Sequence, residues 1–136
     1  MEGQHPTPLD SRSRVNQLPR SILLVEDDPD CRAALAELFQ LWGYQVEAAG
    51  DGKEGLKLAY LHRPAIAVID IGLPDISGYQ VALELRALSL RFCPLLVALT
   101  GRSEDRDRRQ ALSSGFDIYL TKPAGVSELR ELLRSS

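Results

Sequence analysis

The sequence predicts an α/β fold in which helices cover both faces of a parallel sheet. Three observations carry this reading. First, several short runs are apolar without interruption: ILLV at 22–25, AIAVI at 65–69, LLVAL at 95–99 and the shorter IYL at 118–120. Such runs suit strands buried on both faces, as in a parallel sheet. Second, the segments between them carry apolar residues every three or four positions, the helical period. Third, the β-α alternation repeats five times with short connections, which calls for right-handed crossovers.

The elements follow in order. Residues 1–20 are polar, contain three prolines and show no periodicity, so they read as a flexible leader before a domain at 21–136. The first strand, 22–25, ends in Glu26-Asp27-Asp28. Asp28 then Pro29 is an N-cap followed by proline at the first helical position. Cys31, Leu35, Leu38, Leu41 and Trp42 mark the first helix, and Gly43 closes it. Residues 44–48 alternate, giving a second strand. Leu56, Ala59 and Tyr60 mark the second helix. The third strand, 65–69, stops at Asp70 and a loop containing Gly72, Leu73, Pro74, Asp75 and Gly78. Asp75 reads as a loop or capping residue. Val81, Ala82, Leu85 and Leu88 mark the third helix. After the fourth strand, RSEDRDRR at 102–109 is the solvated opening of a fourth helix that continues through Ala111 and Leu112 and ends at Gly115. The fifth strand precedes a helix marked by Val126, Leu129, Leu132 and Leu133, with Gly125 or Ser127 near its start.

A chain of 136 residues favours one domain with one core. Composition is that of a soluble globular protein, 44% hydrophobic and 26% charged, and the net charge of −3 gives no reason to expect nucleic acid or a membrane surface as partner. Cys31 and Cys93 form no CxxC and have no paired histidines nearby, so they are expected to be small buried hydrophobes. No apolar stretch reaches the roughly 18 residues that span a bilayer. The N-terminus lacks the apolar core of a signal peptide, and a cytoplasmic location is expected.

In open α/β sheets, ligands bind beyond the carboxyl ends of the strands. There the chain places Glu26, Asp27 and Asp28, then Asp70, then Thr100-Gly101, then Lys122-Pro123. Clustered carboxylates repel one another, and a hard divalent cation relieves that repulsion; Mg²⁺ takes oxygen ligands and keeps waters or phosphate oxygens. Asp27 and Asp70 are the natural direct ligands. Glu26 acts directly or through water, and the backbone carbonyl of Gly72 is a further candidate. Lys122 and Thr100 complete what phosphoryl transfer needs, which is positioning plus neutralisation of oxygen charge. Asp70 is then the nucleophile, forming an acyl phosphate.

The motifs LLVEDD (23–28), IDIGLPDISG (69–78), ALTG (98–101) and YLTKP (119–123) together resemble the receiver domains of bacterial two-component response regulators over residues 21–136. The resemblance implies a flavodoxin-like sheet of five strands in order 2-1-3-4-5 with five helices on both faces. It implies Asp70 as phosphoacceptor, Glu26 and Asp27 as the acidic pair, and Mg²⁺ as cofactor with Mn²⁺ as a substitute. It also implies Thr100 as switch hydroxyl, Tyr119 as switch aromatic, Lys122 as the phosphate-pairing lysine, and a cis bond before Pro123. Glu26 stands where Asp is commoner. Gly72 and Arg102 occupy positions that flank the phosphoryl group, so both are expected to tune its lifetime. Phe116 and Ala124 depart from the usual residues near the signalling face.

Several functions compete. The expected one is a stand-alone receiver, phosphorylated by a histidine kinase and acting on an unknown protein through the face of the fourth helix, fifth strand and fifth helix. With nothing after Ser136 to serve as an output domain, output is expected to come through protein contacts, the chain being a monomer or a phosphorylation-dependent dimer. A receiver excised from or working beside a hybrid sensor kinase, or a phosphate shuttle, is the alternative. A phosphatase of the haloacid-dehalogenase type wants a second Asp where Gly72 stands, so enzymatic turnover is not expected. A degenerate receiver conflicts with the complete set Asp27, Asp70, Thr100 and Lys122. Flavin binding lacks a phosphate-cradling loop after the first strand.

Overall fold

Strand and helix alternate through the computed structural model, which describes residues 20–88, 94–101 and 105–134. The order is β1 (Ser21–Val25), α1 (Pro29–Leu41), β2 (Gln45–Ala49), α2 (Gly52–His62), β3 (Ile66–Ile69), α3 (Gly78–Ala87), β4 (Leu95–Thr100), α4 (Asp105–Ser113), β5 (Ile118–Thr121) and α5 (Ala124–Arg134). All pairings are parallel and the strand order is β2-β1-β3-β4-β5. The first 19 residues, Cys93 and Arg102 lie outside the described residues.

Side chains alternate across a strand, so each strand feeds two cores. Leu23 and Val25 of β1, Ala67 and Ile69 of β3 and Ala98 of β4 pack with Ala59, Val81, Leu85 and Ala111 from α2, α3 and α4. Ile22, Leu24, Ile66, Val68, Val97 and Leu99 face the other way, against Leu35 and Phe39 of α1 and Leu129 and Leu133 of α5. This two-sided burial is why the runs in β1, β3 and β4 are continuously apolar. The strand β2 lies at the edge and keeps an alternating, largely exposed pattern.

Local chemistry sets the ends. Asp28 caps α1, accepting from the N–H groups of Asp30 at 3.0 Å and Cys31 at 3.4 Å. Asp51 and Ser77 cap α2 and α3 in the same way. Gly43 (φ +98°) and Gly115 (φ +110°) take the left-handed conformation that ends α1 and α4. Gly78 opens α3 where no larger residue fits: a Cβ there would lie 2.6 Å from the Asp70 carbonyl oxygen and 2.7 Å from the Ile71 Cα. That close approach seats α3 directly behind Asp70. Five helix-marking residues, Leu41 (77% exposed), Tyr60 (66%), Leu88, Leu112 and Leu132, face outward. No described helix is long and apolar enough to cross a membrane.

The same substitution is expected to have opposite consequences on the two sides of the β3–α3 loop. Gly78→Ala must displace backbone and should cost about 1–3 kcal/mol in urea unfolding. Gly72→Ala, whose Cβ meets nothing within 4 Å, should stay within about 1 kcal/mol of the wild type.

Candidate functional site

The strand registers bring the site together. Val25 pairs with Ile69, so Glu26 and Asp70 emerge side by side at the carboxyl edge. The Glu26 N–H donates to the Ala49 carbonyl at 3.0 Å, and the Asp70 N–H to the Val25 carbonyl at 2.9 Å. Thr100 pairs with Thr121, and the Lys122 N–H donates to the Thr100 carbonyl at 2.8 Å, which delivers the lysine to the same edge. The Lys122–Pro123 peptide bond is cis.

The Glu26 side chain is only 3% exposed. Its Oε1 accepts from the Lys122 ammonium and from the Cys31 thiol (3.3 Å), and its Oε2 accepts from the Asp28 N–H (3.2 Å). A guanidinium nitrogen of Arg32 donates to the carbonyls of Glu26 (2.9 Å) and Asp27 (3.4 Å), fixing the β1–α1 loop. Asp70 is 15% exposed; its Oδ1 accepts from the Gly72 N–H at 3.4 Å and its Oδ2 lies 4.0 Å from the Lys122 ammonium. Thr100 is buried at the end of β4.

Burial alone would lower the Lys122 pKa, but its hydrogen bond and charge pairing with Glu26, then Asp70, outweigh it, so the pKa is raised and the ammonium stays charged. Carboxylate oxygens of Glu26, Asp27 and Asp70 lie within 4.8 Å of one another. This donor set is all oxygen and carries three negative charges beside the Lys122 ammonium. It fits a hard divalent cation such as Mg²⁺.

Glu26, Asp27, Asp70, Thr100 and Lys122 are therefore gathered at one edge. Gly72 adjoins them and leaves open space where a side chain would stand. Tyr119 is set apart: it is buried against the α2–α3–α4 face, with the Arg108 guanidinium 5.2 Å from its ring. An open groove of about 320 Å³ runs beside it, lined by Arg108, Leu112, Tyr119 and Glu128 among others. Arg102 lies outside the described residues, so its expected role has no structural counterpart here.

Cys31 corrects the expectation of a small buried hydrophobe. It is half-buried, and its sulfur lies 3.3 Å from Glu26 Oε1 and 3.4 Å from the Lys122 ammonium. Burial and the neighbouring Glu26 carboxylate raise the thiol pKa against an opposing pull from Lys122. Its place in the first turn of α1, facing the sheet, is the sequence signal that it adjoins the acidic pair.

Asp75 is a cap supplied from a distant loop. Its two carboxylate oxygens accept from the N–H groups of Gly52 (2.8 Å) and Lys53 (2.9 Å), tying the β3–α3 loop to the start of α2. Burial would raise its pKa, but the backbone N–H donors, led by Gly52 and Lys53, together outweigh it and hold it at about 2.

Two outcomes are expected in urea unfolding. Lys122→Ala leaves the Glu26 carboxylate buried without its cation and should cost about 1–3 kcal/mol at neutral pH. The Asp75 pKa is depressed in the fold, so its stabilisation is present above the unfolded value of 3.8 and fades as pH falls through about 2. Asp75→Ala should therefore destabilise at neutral pH, and its difference from the wild type should narrow across that acid window.

Comparison with known proteins adds a family. Residues 22–134 match the response regulator receiver domain family. The chain is 37% identical over 115 residues to the transcriptional regulatory protein KdpE of Mycobacterium tuberculosis, covering 85% of this chain and 50% of KdpE. It thus spans about half the length of that relative. It is 36% identical over 113 residues to a 14.6 kDa protein of Leptolyngbya boryana, covering 83% of this chain and 86% of that protein. Among solved structures, response regulator TrrA of Thermotoga maritima, in complex with Mg(2+)-BeF, superposes with a TM-score of 0.75 at 31% identity, covering 85% of this chain and 97% of TrrA. A CheY-like receiver domain protein of Methanospirillum hungatei superposes with a TM-score of 0.78 at 26% identity, covering 86% and 92%.

Proposed function

The chain belongs to the response regulator receiver domain family, and we propose that it accepts a phosphoryl group on Asp70 from a histidine kinase and passes the signal on through protein contacts. The observation that carries this reading is the gathering of Asp70, the acidic pair and Lys122 at the ligand-binding edge of the sheet.

In the proposed step, a carboxylate oxygen of Asp70 attacks the phosphorus of a phosphohistidine. An O–P bond forms, the P–N bond breaks, and the departing imidazole takes a proton from solvent. A bound Mg²⁺, or Mn²⁺ in its place, would supply neutralisation of phosphoryl oxygen charge; Glu26, Asp27, Asp70 and the Gly72 carbonyl are the groups that would hold it. Lys122 supplies a second positive charge and Thr100 a hydroxyl donor to the phosphoryl oxygens. The TrrA structure, a relative with Mg²⁺ and a beryllium fluoride group, supports this assignment.

Phosphorylation changes charge and hydrogen bonding at Asp70, and shifts a conformational equilibrium by its differential interaction with the two states. Thr100 links the phosphoryl group to β4. Tyr119 and its Arg108 neighbour carry the change to the face of α4, β5 and α5, where the groove beside Tyr119 receives the downstream protein. The chain works in the cytoplasm as a switch without turnover of its own.

Incubation with acetyl phosphate and Mg²⁺ followed by intact mass spectrometry tests the reading. One phosphoryl group should appear on the wild type, be absent with a chelator present, and be absent from Asp70→Asn. An unlabelled wild type, or equal labelling of Asp70→Asn, would overturn it.

A further inference from the structure

Glu26 serves two cations. Its carboxylate belongs to the oxygen cluster with Asp27 and Asp70, and it is also the partner of the Lys122 ammonium. Lys122 is shared unequally: it is hydrogen-bonded to Glu26 Oε1, while Asp70 Oδ2 stands off at 4.0 Å. The Cys31 sulfur, 3.4 Å from the ammonium and 3.3 Å from the same Glu26 oxygen, holds the lysine on that side. An ammonium has three donors, and Glu26 and Cys31 occupy two of them.

The length of the glutamate matters. An aspartate at this position would draw the carboxylate back by one methylene, about 1.5 Å of chain. The ammonium would then lose its anchor and be left to Asp70. We propose that Glu26 is a positioning residue for Lys122: the ammonium and the divalent cation compete for the Glu26 carboxylate, and cation binding frees Lys122 to turn toward Asp70. The proposal rests on the phosphoacceptor reading and deepens it. It makes the occupancy of the acidic cluster a condition for Lys122 to reach the phosphoryl group, a coupling set by the extra methylene of Glu26.

A double-mutant cycle on Mg²⁺ affinity, measured by calorimetry at fixed ionic strength, separates this competition from simple charge removal. Taking away a positive charge should tighten Mg²⁺ binding in any background. Competition for Glu26 adds a further gain only where Glu26 is present. Lys122→Gln should therefore tighten Mg²⁺ binding at least about fivefold more in the wild type than in Glu26→Asp. Equal tightening in the two backgrounds, within about twofold, would overturn the proposal.

A second measurement needs only the wild type and Glu26→Asp. The ¹³Cε signal of Lys122 in lysine-labelled protein should move when Mg²⁺ saturates the wild type, and move much less in Glu26→Asp. A signal unmoved in the wild type overturns the proposal even if Lys122→Gln fails to fold. Phosphoryl labelling of Asp70 tells the two levels apart. A labelled wild type with a flat cycle sinks the competition alone, whereas an unlabelled wild type sinks the phosphoacceptor reading beneath it.

Discussion

The Glu26 carboxylate is almost wholly buried at the end of β1, and the chain that answers its charge comes from the end of β5, 96 residues later. A carboxylate buried without a cation is destabilising, so Lys122 must be delivered to within bonding distance of it. Much of the architecture serves that delivery. The strands β1, β3, β4 and β5 must finish at one edge, which their parallel registers ensure. Those registers are set by strands apolar on both faces, because a slip of one residue would exchange the two cores. The hydrogen bond from the Lys122 N–H to the Thr100 carbonyl then sets the lysine beside the hydroxyl residue of the neighbouring strand.

The same edge concentrates negative charge on a rigid mount. Asp70 is backed by α3, whose first residue has no room for a side chain, and its loop is pinned to α2 through Asp75. Arg32 fixes the carbonyls of the acidic pair from the α1 side. Side chains link the elements farther from the site. Tyr79 at the start of α3 donates to the Asp107 carboxylate of α4 at 3.3 Å, and Arg108 of the same helix lies over Tyr119.

The fold was legible because its signals are local and repeated. Two-sided burial writes continuous apolar runs, and the caps Asp28-Pro29, Gly43 and Gly115 act within one helical turn. Strand order is not local; it entered only through the family resemblance, and the pairing of β1 with both β2 and β3 confirms it. The principal site residues were legible because each stands at or just past the end of a strand. What escaped was side-chain direction. Cys31 lies on the helical stripe that reads as core and packs against it, yet its sulfur also meets Glu26 and Lys122. Leu41 and Tyr60 keep the helical period but sit at its margin and remain exposed. That Asp75 caps a helix more than twenty residues earlier could not be read from spacing, because the contact is made by the folding of one loop onto another.

The central claim is that Asp70 itself carries the phosphoryl group as an acyl phosphate. Reductive trapping tests it at the level of the bond: borohydride converts an aspartyl phosphate to homoserine, which peptide mass spectrometry then locates. After treatment with acetyl phosphate and Mg²⁺, homoserine should replace aspartate at position 70 and at no other carboxylate of the cluster. Homoserine at position 26 or 27, or a phosphoryl group that survives borohydride on a hydroxyl such as that of Thr100, would contradict the account.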